Sequence, residues 1–182
     1  AVDALVQGGQ TMNPSIDAIS RAIRKVNARN VFVFPNNPNI ILAARQAAAL
    51  SERNVIIIPT KNIIQGISGV LENETRINEV YESVLSGAVT YAVRSTSFNG
   101  TKISEGDIIG LMDDDIVSVG DNVDAPSIEL LEKLIEKNGE EDCIVTLFYG
   151  ENVDEENAKA LVREMEQRYP EAEFIIQNGG QP

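Results

Sequence analysis

Three loops rich in small polar residues could bind a small anion. They are QGGQTMNPS at residues 7–15, PNNPN at 35–39 and PTKN at 59–62. Each follows an apolar run, and the first two precede predicted helices, whose free N–H groups favour anions. Ligands of open α/β sheets bind at this carboxyl edge of the strands. The candidate ligand residues are therefore Gly8, Gly9, Gln10, Thr11, Asn13, Ser15, Asn36, Asn37, Thr60 and Lys61.

A purely structural interpretation of these loops stays open. None of them matches the phosphate-binding patterns GxxxxGK[ST] or GxGxxG. Asn, Pro and Gly are also ordinary residues of strand–helix junctions. The GGQ of residues 8–10 occurs again in NGGQP at residues 178–182, as a shared turn would.

Acidic residues are the second group that could do chemistry. Residues 101–182 carry 21 Asp or Glu against six Lys or Arg, whereas residues 1–100 carry seven against nine. Asp113 to Asp115 could bind Mg²⁺ or form a solvated turn, and the wider set could steer a basic partner or serve solubility. The candidate partner-binding residues are Asp113, Asp114, Asp115, Asp121, Asp124, Glu151, Asp154, Glu155 and Glu156.

Composition excludes several classes of function. The chain has no histidine, so Ser-His, Cys-His and His-zinc chemistry within it are excluded. A formal charge of −13 argues against nucleic acid as a partner. The sequence shows no transmembrane segment and no signal peptide, and its one cysteine, Cys143, fits a reducing cytoplasm.

The first half predicts a βαβαβ order with a parallel sheet. Strands are predicted at residues 4–6, 31–34 and 55–58. Helices are predicted from about Ser15, along IILAARQAAAL, and from about Glu72 to Leu85.

The second half predicts an α+β subdomain with a mixed sheet. AVTYAVRSTSF reads as an antiparallel strand before a hairpin turn at Asn99-Gly100, and GDIIGLMDDDIVSVG as two strands around an acidic turn. The subdomain then continues with a predicted helix that is capped at Asp124 and ends at Gly139. It is completed by the buried strand CIVTLFYG, a helix from Asp154 and a strand at 174–176. The fold class is α/β with two related subdomains, residues 1–87 and 88–182.

The sequence resembles the C-terminal region of the bacterial fatty acid kinase subunit, which is related to dihydroxyacetone kinases. The resemblance is carried, in order, by QGGQTMNPS, FPNNPNI, IIIPTKNIIQGISG, GAVTYAVRST, DIIGL and NGGQP. It implies two α/β subdomains similar to DegV-like fatty-acid-binding proteins. The family normally has a strand and helix before Ala1 and another strand after Pro182, so we expect this chain to be a trimmed fragment.

The resemblance also implies a function. The full kinase protein phosphorylates a fatty acid held by a separate fatty-acid-binding protein, giving acyl phosphate for phospholipid synthesis. ATP and Mg²⁺ would bind an N-terminal domain absent here, and no cofactor or catalytic residue is expected in this chain. Its C-terminal region would dock the binding protein, whose face is basic, through an acidic groove. In lipid-binding relatives, hydroxyls occupy the loop positions where this chain has Gly8 and Gly9.

The leading hypothesis is a non-catalytic docking domain in the cytoplasm. The alternative is a module that binds a fatty acid carboxylate or phosphate at the Gly8, Asn36 and Thr60 loops. A carboxylate-based hydrolase is the third hypothesis, although no paired acid and base stand out.

Overall fold

The computed structural model describes residues 2–8, 13–71, 76–77, 82–113, 115–139 and 143–180. The chain divides into two compact units, Ala1–Val84 and Leu85–Pro182. Within the described residues, the fold is mixed α/β, with five helices of defined length and four small sheets. The α/β class predicted from the sequence is confirmed.

The first unit is built from helices and parallel strands in alternation. Its elements are α1 (Ile16–Lys25), β1 (Asn30–Val33), α2 (Pro38–Ala49), β2 (Asn54–Ile57) and α3 (Ile63–Val70). Strands β1 and β2 pair in parallel, with Asn30 opposite Asn54 and Val33 opposite Ile57. The predicted parallel pairing of these two strands is therefore confirmed.

The core of the first unit is formed by α1, α2 and β1. Ile19 and Ile23 of α1 are buried one turn apart, and Ala44 and Ala47 of α2 are buried in the same cluster with Val31 of β1. Small alanine side chains allow α2 to approach its neighbours closely.

Helix α3 was not predicted, because Gly66 and Gly69 are poor helix formers. Both glycines are buried, and the space a side chain would take is already filled. A Cβ on Gly69 would lie 2.7 Å from the Phe34 ring, and one on Gly66 would overlap the Asn36 side chain. The predicted helix at 72–85 lies mostly outside the described residues, although Ile77, Glu82 and Ser83 are helical.

The predicted strand at residues 4–6 is wrong. These residues have no regular secondary structure, and the Leu5 side chain is 79% exposed. A short apolar run becomes a strand only where a neighbouring strand accepts its backbone hydrogen bonds. Within the described residues, no strand pairs with this segment.

The second unit has more strands and two helices. Its elements are β3 (Gly87–Tyr91), β4 (Thr96–Phe98), β5 (Thr101–Ile103), β6 (Ile108–Met112), β7 (Asp115–Gly120), α4 (Asp124–Asn138), β8 (Ile144–Tyr149), α5 (Glu155–Arg168) and β9 (Glu173–Asn178). Strands β3, β6 and β7 form an antiparallel sheet, β4 and β5 form a hairpin, and β8 and β9 pair in parallel. Parallel and antiparallel pairs thus both occur, but in separate sheets rather than in one mixed sheet.

AVTYAVRSTSF is two strands rather than one. The chain leaves β3 at Ala92, whose N–H donates to Asp107 O and whose carbonyl accepts from Gly106 N. It then enters the β4–β5 hairpin, where Asn99 and Gly100 have positive φ values of 47° and 80°. Two positive φ values are what a two-residue hairpin turn requires, so the Asn-Gly prediction is confirmed.

Helix α4 begins differently from the prediction. Asn122 Oδ1 accepts hydrogen bonds from the N–H groups of Asp124 and Ala125, and Asp124 is the first helical residue rather than the cap. An amide oxygen two residues upstream reaches the free N–H groups of the first turn, which leaves the Asp124 carboxylate exposed. The helix ends at Gly139 with φ 104°, as predicted.

The core of the second unit lies between α4, α5 and the β8–β9 pair. The buried members of this cluster are Leu131, Ile135, Cys143 and Met165. A second buried cluster of the same unit contains Ala92, Ile103 and Ile109. Cys143 is a buried free thiol immediately before β8, in agreement with its apolar sequence setting.

Candidate functional site

Asn36 and Thr60 lie side by side after the carboxyl ends of β1 and β2. The Asn36 N–H donates to Thr60 Oγ1 at 3.0 Å, and the Thr60 hydroxyl donates to Asn36 Oδ1 at 2.8 Å. The Thr60 side chain is fully buried, and Asn36 has a positive φ of 56°. The structure therefore brings two predicted ligand residues together, but directs their hydrogen bonds toward each other.

Other polar groups of these loops cap helices. Ser15 Oγ accepts from Ala18 N at the start of α1, and Asn37 Oδ1 accepts from Asn39 N at the start of α2. Asn62 Oδ1 accepts from Gln65 N, while Gln65 Oε1 accepts from Lys61 N, so α3 begins with a reciprocal cap. These bonds favour the structural interpretation of the three loops.

The remaining candidate ligand residues give little support for a binding site. Gly8 and Asn13 are exposed, and Gly9, Gln10 and Thr11 lie outside the described residues. At the second GGQ, Asn178 Oδ1 accepts from Gly180 N at 3.0 Å, and Gly180 has a φ of 63°. Residues 178–180 of NGGQP therefore form a local side-chain-stabilised turn at the end of β9.

The tip of the β6–β7 hairpin is partly neutralised. Asp113 has a positive φ of 52°, and its Oδ2 lies 2.7 Å from Lys137 Nζ in the last turn of α4. Asp115 is exposed at the start of β7, and Asp114 lies outside the described residues. The basic Lys137 thus reduces the negative charge of the hairpin tip.

Asp121 and Asp124 form a separate acidic group at the opposite end of α4. Both are exposed, and neither forms an ion pair in the part of the chain that the structure describes. A 15-residue helix is about 22 Å long, and Lys137 marks its other end. The hairpin tip and the α4 start are therefore two acidic groups, not one patch.

The third acidic group surrounds the start of α5. Lys159 lies 2.8 Å from Glu155 and 3.1 Å from Glu156, and Arg163 lies 3.7 Å from Glu156. Glu151 and Asp154 are exposed and form no ion pair among the described residues. The hydrogen bond and charge of Lys159 lower the pKa of Glu155, and a hydrogen bond with Tyr149 adds a smaller effect.

We predict a small pH dependence from Glu155. Because its folded pKa is lowered, its contribution to stability is complete above the unfolded pKa and is lost as the pH falls through the folded pKa. A carboxyl-detected NMR titration should place the pKa of Glu155 below the ordinary value of 4.5. Replacing Lys159 with methionine should move it back toward that value, whereas replacing Lys133 should not. An unchanged pKa in the Lys159 variant would contradict the assignment.

Sequence reasoning missed the cations that balance these acids. The Glu155–Lys159 pair has the i,i+4 spacing of a helical ion pair and was readable from the sequence. The Asp113–Lys137 pair spans 24 residues, and only the fold brings its members together.

Two further observations limit the chemistry of the described residues. Among them, no group of three or more acidic or cysteine side chains converges as a metal site. None of the helices described is both long and apolar enough to cross a bilayer.

Comparisons with known proteins agree along the whole chain. Residues 1–182 match the FakA-like family model, which describes the C-terminal part of a fatty acid kinase subunit. The chain is 40% identical to Protein YloV of Bacillus subtilis, over 98% of this chain and 33% of that protein. Uncharacterized proteins of Staphylococcus epidermidis and Staphylococcus aureus are 35% and 33% identical, again over 98% of this chain and about a third of their own length. The chain thus spans about a third of the curated relatives it matches.

Proposed function

Because this chain belongs to the FakA-like family of fatty acid kinase C-terminal regions, we propose that it is a non-catalytic docking domain of such a kinase. It recruits a fatty-acid-binding protein with a basic face, so that the bound carboxylate can be phosphorylated to acyl phosphate for phospholipid synthesis. The ATP- and Mg²⁺-binding and catalytic parts would belong to a longer protein, since this chain matches only 33% of its Bacillus subtilis relative.

The observation that carries docking is two pairs of exposed, unpaired carboxylates at the starts of the second unit's helices. Asp121 and Asp124 precede or begin α4, and Glu151 and Asp154 precede α5. Within the described residues these four form no ion pair, whereas Asp113, Glu155 and Glu156 are balanced by nearby cations. Unpaired surface charge of one sign accelerates association with an oppositely charged partner.

Charge reversal tests this proposal. The full chain would be mixed with a purified, lipid-loaded fatty-acid-binding protein, and the association rate measured by stopped flow at several salt concentrations. The double variant Asp121→Lys/Asp124→Lys should slow association about tenfold at low salt, since each reversal removes attraction and adds repulsion. The wild-type rate should also fall as salt rises, because exposed charges are screened beyond about 8–10 Å.

A matched control makes the test specific to position. Glu171→Lys/Glu173→Lys changes the net charge by the same amount at two exposed positions outside the three acidic groups. Its association rate should stay close to that of the wild type. Reversals at Asp113 with Asp115, and at Glu151 with Asp154, would map which group faces the partner. Rates indifferent to salt and to all three pairs of reversals would refute docking through acidic groups.

A further inference from the structure

The outward sides of α1 and α2 form a basic surface in the first unit. On α1, Arg21, Arg24 and Lys25 are exposed, whereas Ile19 and Ile23 of the same helix are buried. On α2, Leu42 and Arg45 are exposed, and Leu50 directly follows the helix. The side chains of Leu42 and Leu50 are 67% and 76% exposed. The α1–α2 face is defined by these residues: Arg21, Arg24, Lys25, Leu42, Arg45 and Leu50.

The two helices present this face side by side. The buried faces of α1 and α2 pack into one core cluster. Arg53 follows α2 along the chain, and its guanidinium donates to the carbonyls of Arg24 and Ala28, at 3.2 and 3.1 Å. These bonds tie the end of α1 to the segment that follows α2, so the ends of both helices lie at the same corner of the unit.

The cations of the α1–α2 face are exposed, and Arg21 and Lys25 line a concavity with residues 3–7 of the same unit. In the part of the chain that the structure describes, Arg21, Arg24, Lys25 and Arg45 form no ion pair, and Asp17, one turn before Arg21, does not neutralise it. In the second unit, Lys133, Lys137, Lys159, Arg163 and Arg168 are in ion pairs, whereas the exposed Arg94 and Lys102 form none among the described residues. Favourable charge at a helix C-terminus accounts for Arg24 and Lys25, but not for Arg21, Arg45 or the exposed leucines.

We propose that the α1–α2 face docks on a membrane surface containing anionic phospholipids. Exposed arginine and lysine attract the negative headgroups, and each cation near such a surface adds to the affinity. Leu42 of α2 and Leu50, which directly follows the helix, are both exposed and would enter the headgroup boundary, which strengthens binding that charge alone would leave reversible. This surface belongs to the first unit, whereas the acidic groups proposed to dock the protein partner belong to the second.

A lipid surface fits this face better than an acidic protein does. Protein interfaces are enriched in arginine and in aromatic residues but depleted in lysine, and the face contains Lys25 and no aromatic residue. The face combines arginine, lysine and leucine on the outer side of two adjacent helices, which is the composition of peripheral membrane-binding surfaces. The chain's net charge of −13 does not prevent this, because attraction acts within about one Debye length of the face.

Vesicle sedimentation with the full chain tests the proposal. Vesicles of 40% phosphatidylglycerol in phosphatidylcholine should bind the chain at low salt, and pure phosphatidylcholine vesicles should not. The variant Arg21→Gln/Arg24→Gln/Lys25→Gln should reduce the bound-to-free ratio at least tenfold. Leu42→Ser/Leu50→Ser should weaken mainly the binding that persists at high salt. Circular dichroism would verify that each variant remains folded.

The control variant removes equal charge elsewhere. Arg94→Gln/Lys102→Gln/Arg163→Gln also loses three exposed cations, none of them on the α1–α2 face, and should bind like the wild type. The proposal would be overturned if both triple variants lost vesicle binding equally. It would also be overturned if the chain bound both kinds of vesicle equally, or bound neither. Binding to polyglutamate without binding to vesicles would also overturn it and would indicate an acidic protein partner instead.

Discussion

Replacing Gly66 with alanine is expected to lower the free energy of unfolding by about 2 to 4 kcal/mol. The new Cβ would overlap the Asn36 side chain, which holds the hydroxyl of the fully buried Thr60. Overpacking costs about 1–3 kcal/mol, and a buried hydroxyl that loses its partner costs about 1–3 kcal/mol more. Helix propensity alone predicts the opposite sign, a gain of about 1 kcal/mol. Urea unfolding, monitored by far-UV circular dichroism, distinguishes a loss of stability from a gain.

A second substitution identifies the cause of the loss. Asn36→Gly removes the obstructing side chain at a backbone φ of 56°, which glycine adopts readily. In that background, Gly66→Ala should be neutral or stabilising, because the overlap is gone. Ser68→Ala on the same helix should change the free energy of unfolding by only a few tenths of a kcal/mol in either background. Equal destabilisation by Gly66→Ala in both backgrounds would show that the Asn36 contact is not responsible.

The same contact explains what the sequence could not predict about α3. The two glycines in IIQGISGV indicate a weak helix propensity. The neighbouring sequence does not show that Asn36 and Phe34 fill the space beside these glycines. Helix α1 was predictable for the converse reason. Its isoleucines recur at helical spacing, so the local pattern and the tertiary burial agree.

Residues 4–6 show the opposite error. An apolar run of three residues satisfies a strand pattern locally, but strand formation depends on a partner that the run itself does not contain. Val55 to Ile57 were predicted on the same kind of evidence and do form a strand, because β1 lies alongside them.

For the acidic half of the chain, the number of acidic residues was predictable from the sequence, but their arrangement in space was not. Counting residues correctly indicates a strongly acidic second unit. Position along the chain cannot reveal that Lys137 lies against Asp113, or that α4 separates the hairpin tip from Asp121 and Asp124. The hydrogen bonds of Asn36 and Thr60 were hidden in the same way, since they join residues 24 positions apart.

Replacing Gly110 with alanine is the second substitution expected to have a large effect, again about 2 to 4 kcal/mol. Gly110 lies in β6, where a Cβ would overlap Ser118 Oγ and come within 3.3 Å of Pro126 O. Ser118 is 1% exposed, and its hydroxyl donates to Pro126 O at 2.9 Å. The substitution would therefore displace the buried hydroxyl and push the first turn of α4 away from the sheet.

Removing the Ser118 hydroxyl tests this explanation and connects it to the proposed site. Ser118→Ala alone should cost about 1 kcal/mol, since it removes a buried hydrogen bond. Adding Gly110→Ala to it should cost much less than the same change in the wild type, because the overlapping oxygen is absent. Strictly additive losses would contradict the contact. Because Pro126 follows Asp124 by two residues, Gly110→Ala should also slow association with the proposed fatty-acid-binding partner, whereas Gly66→Ala in the first unit should not.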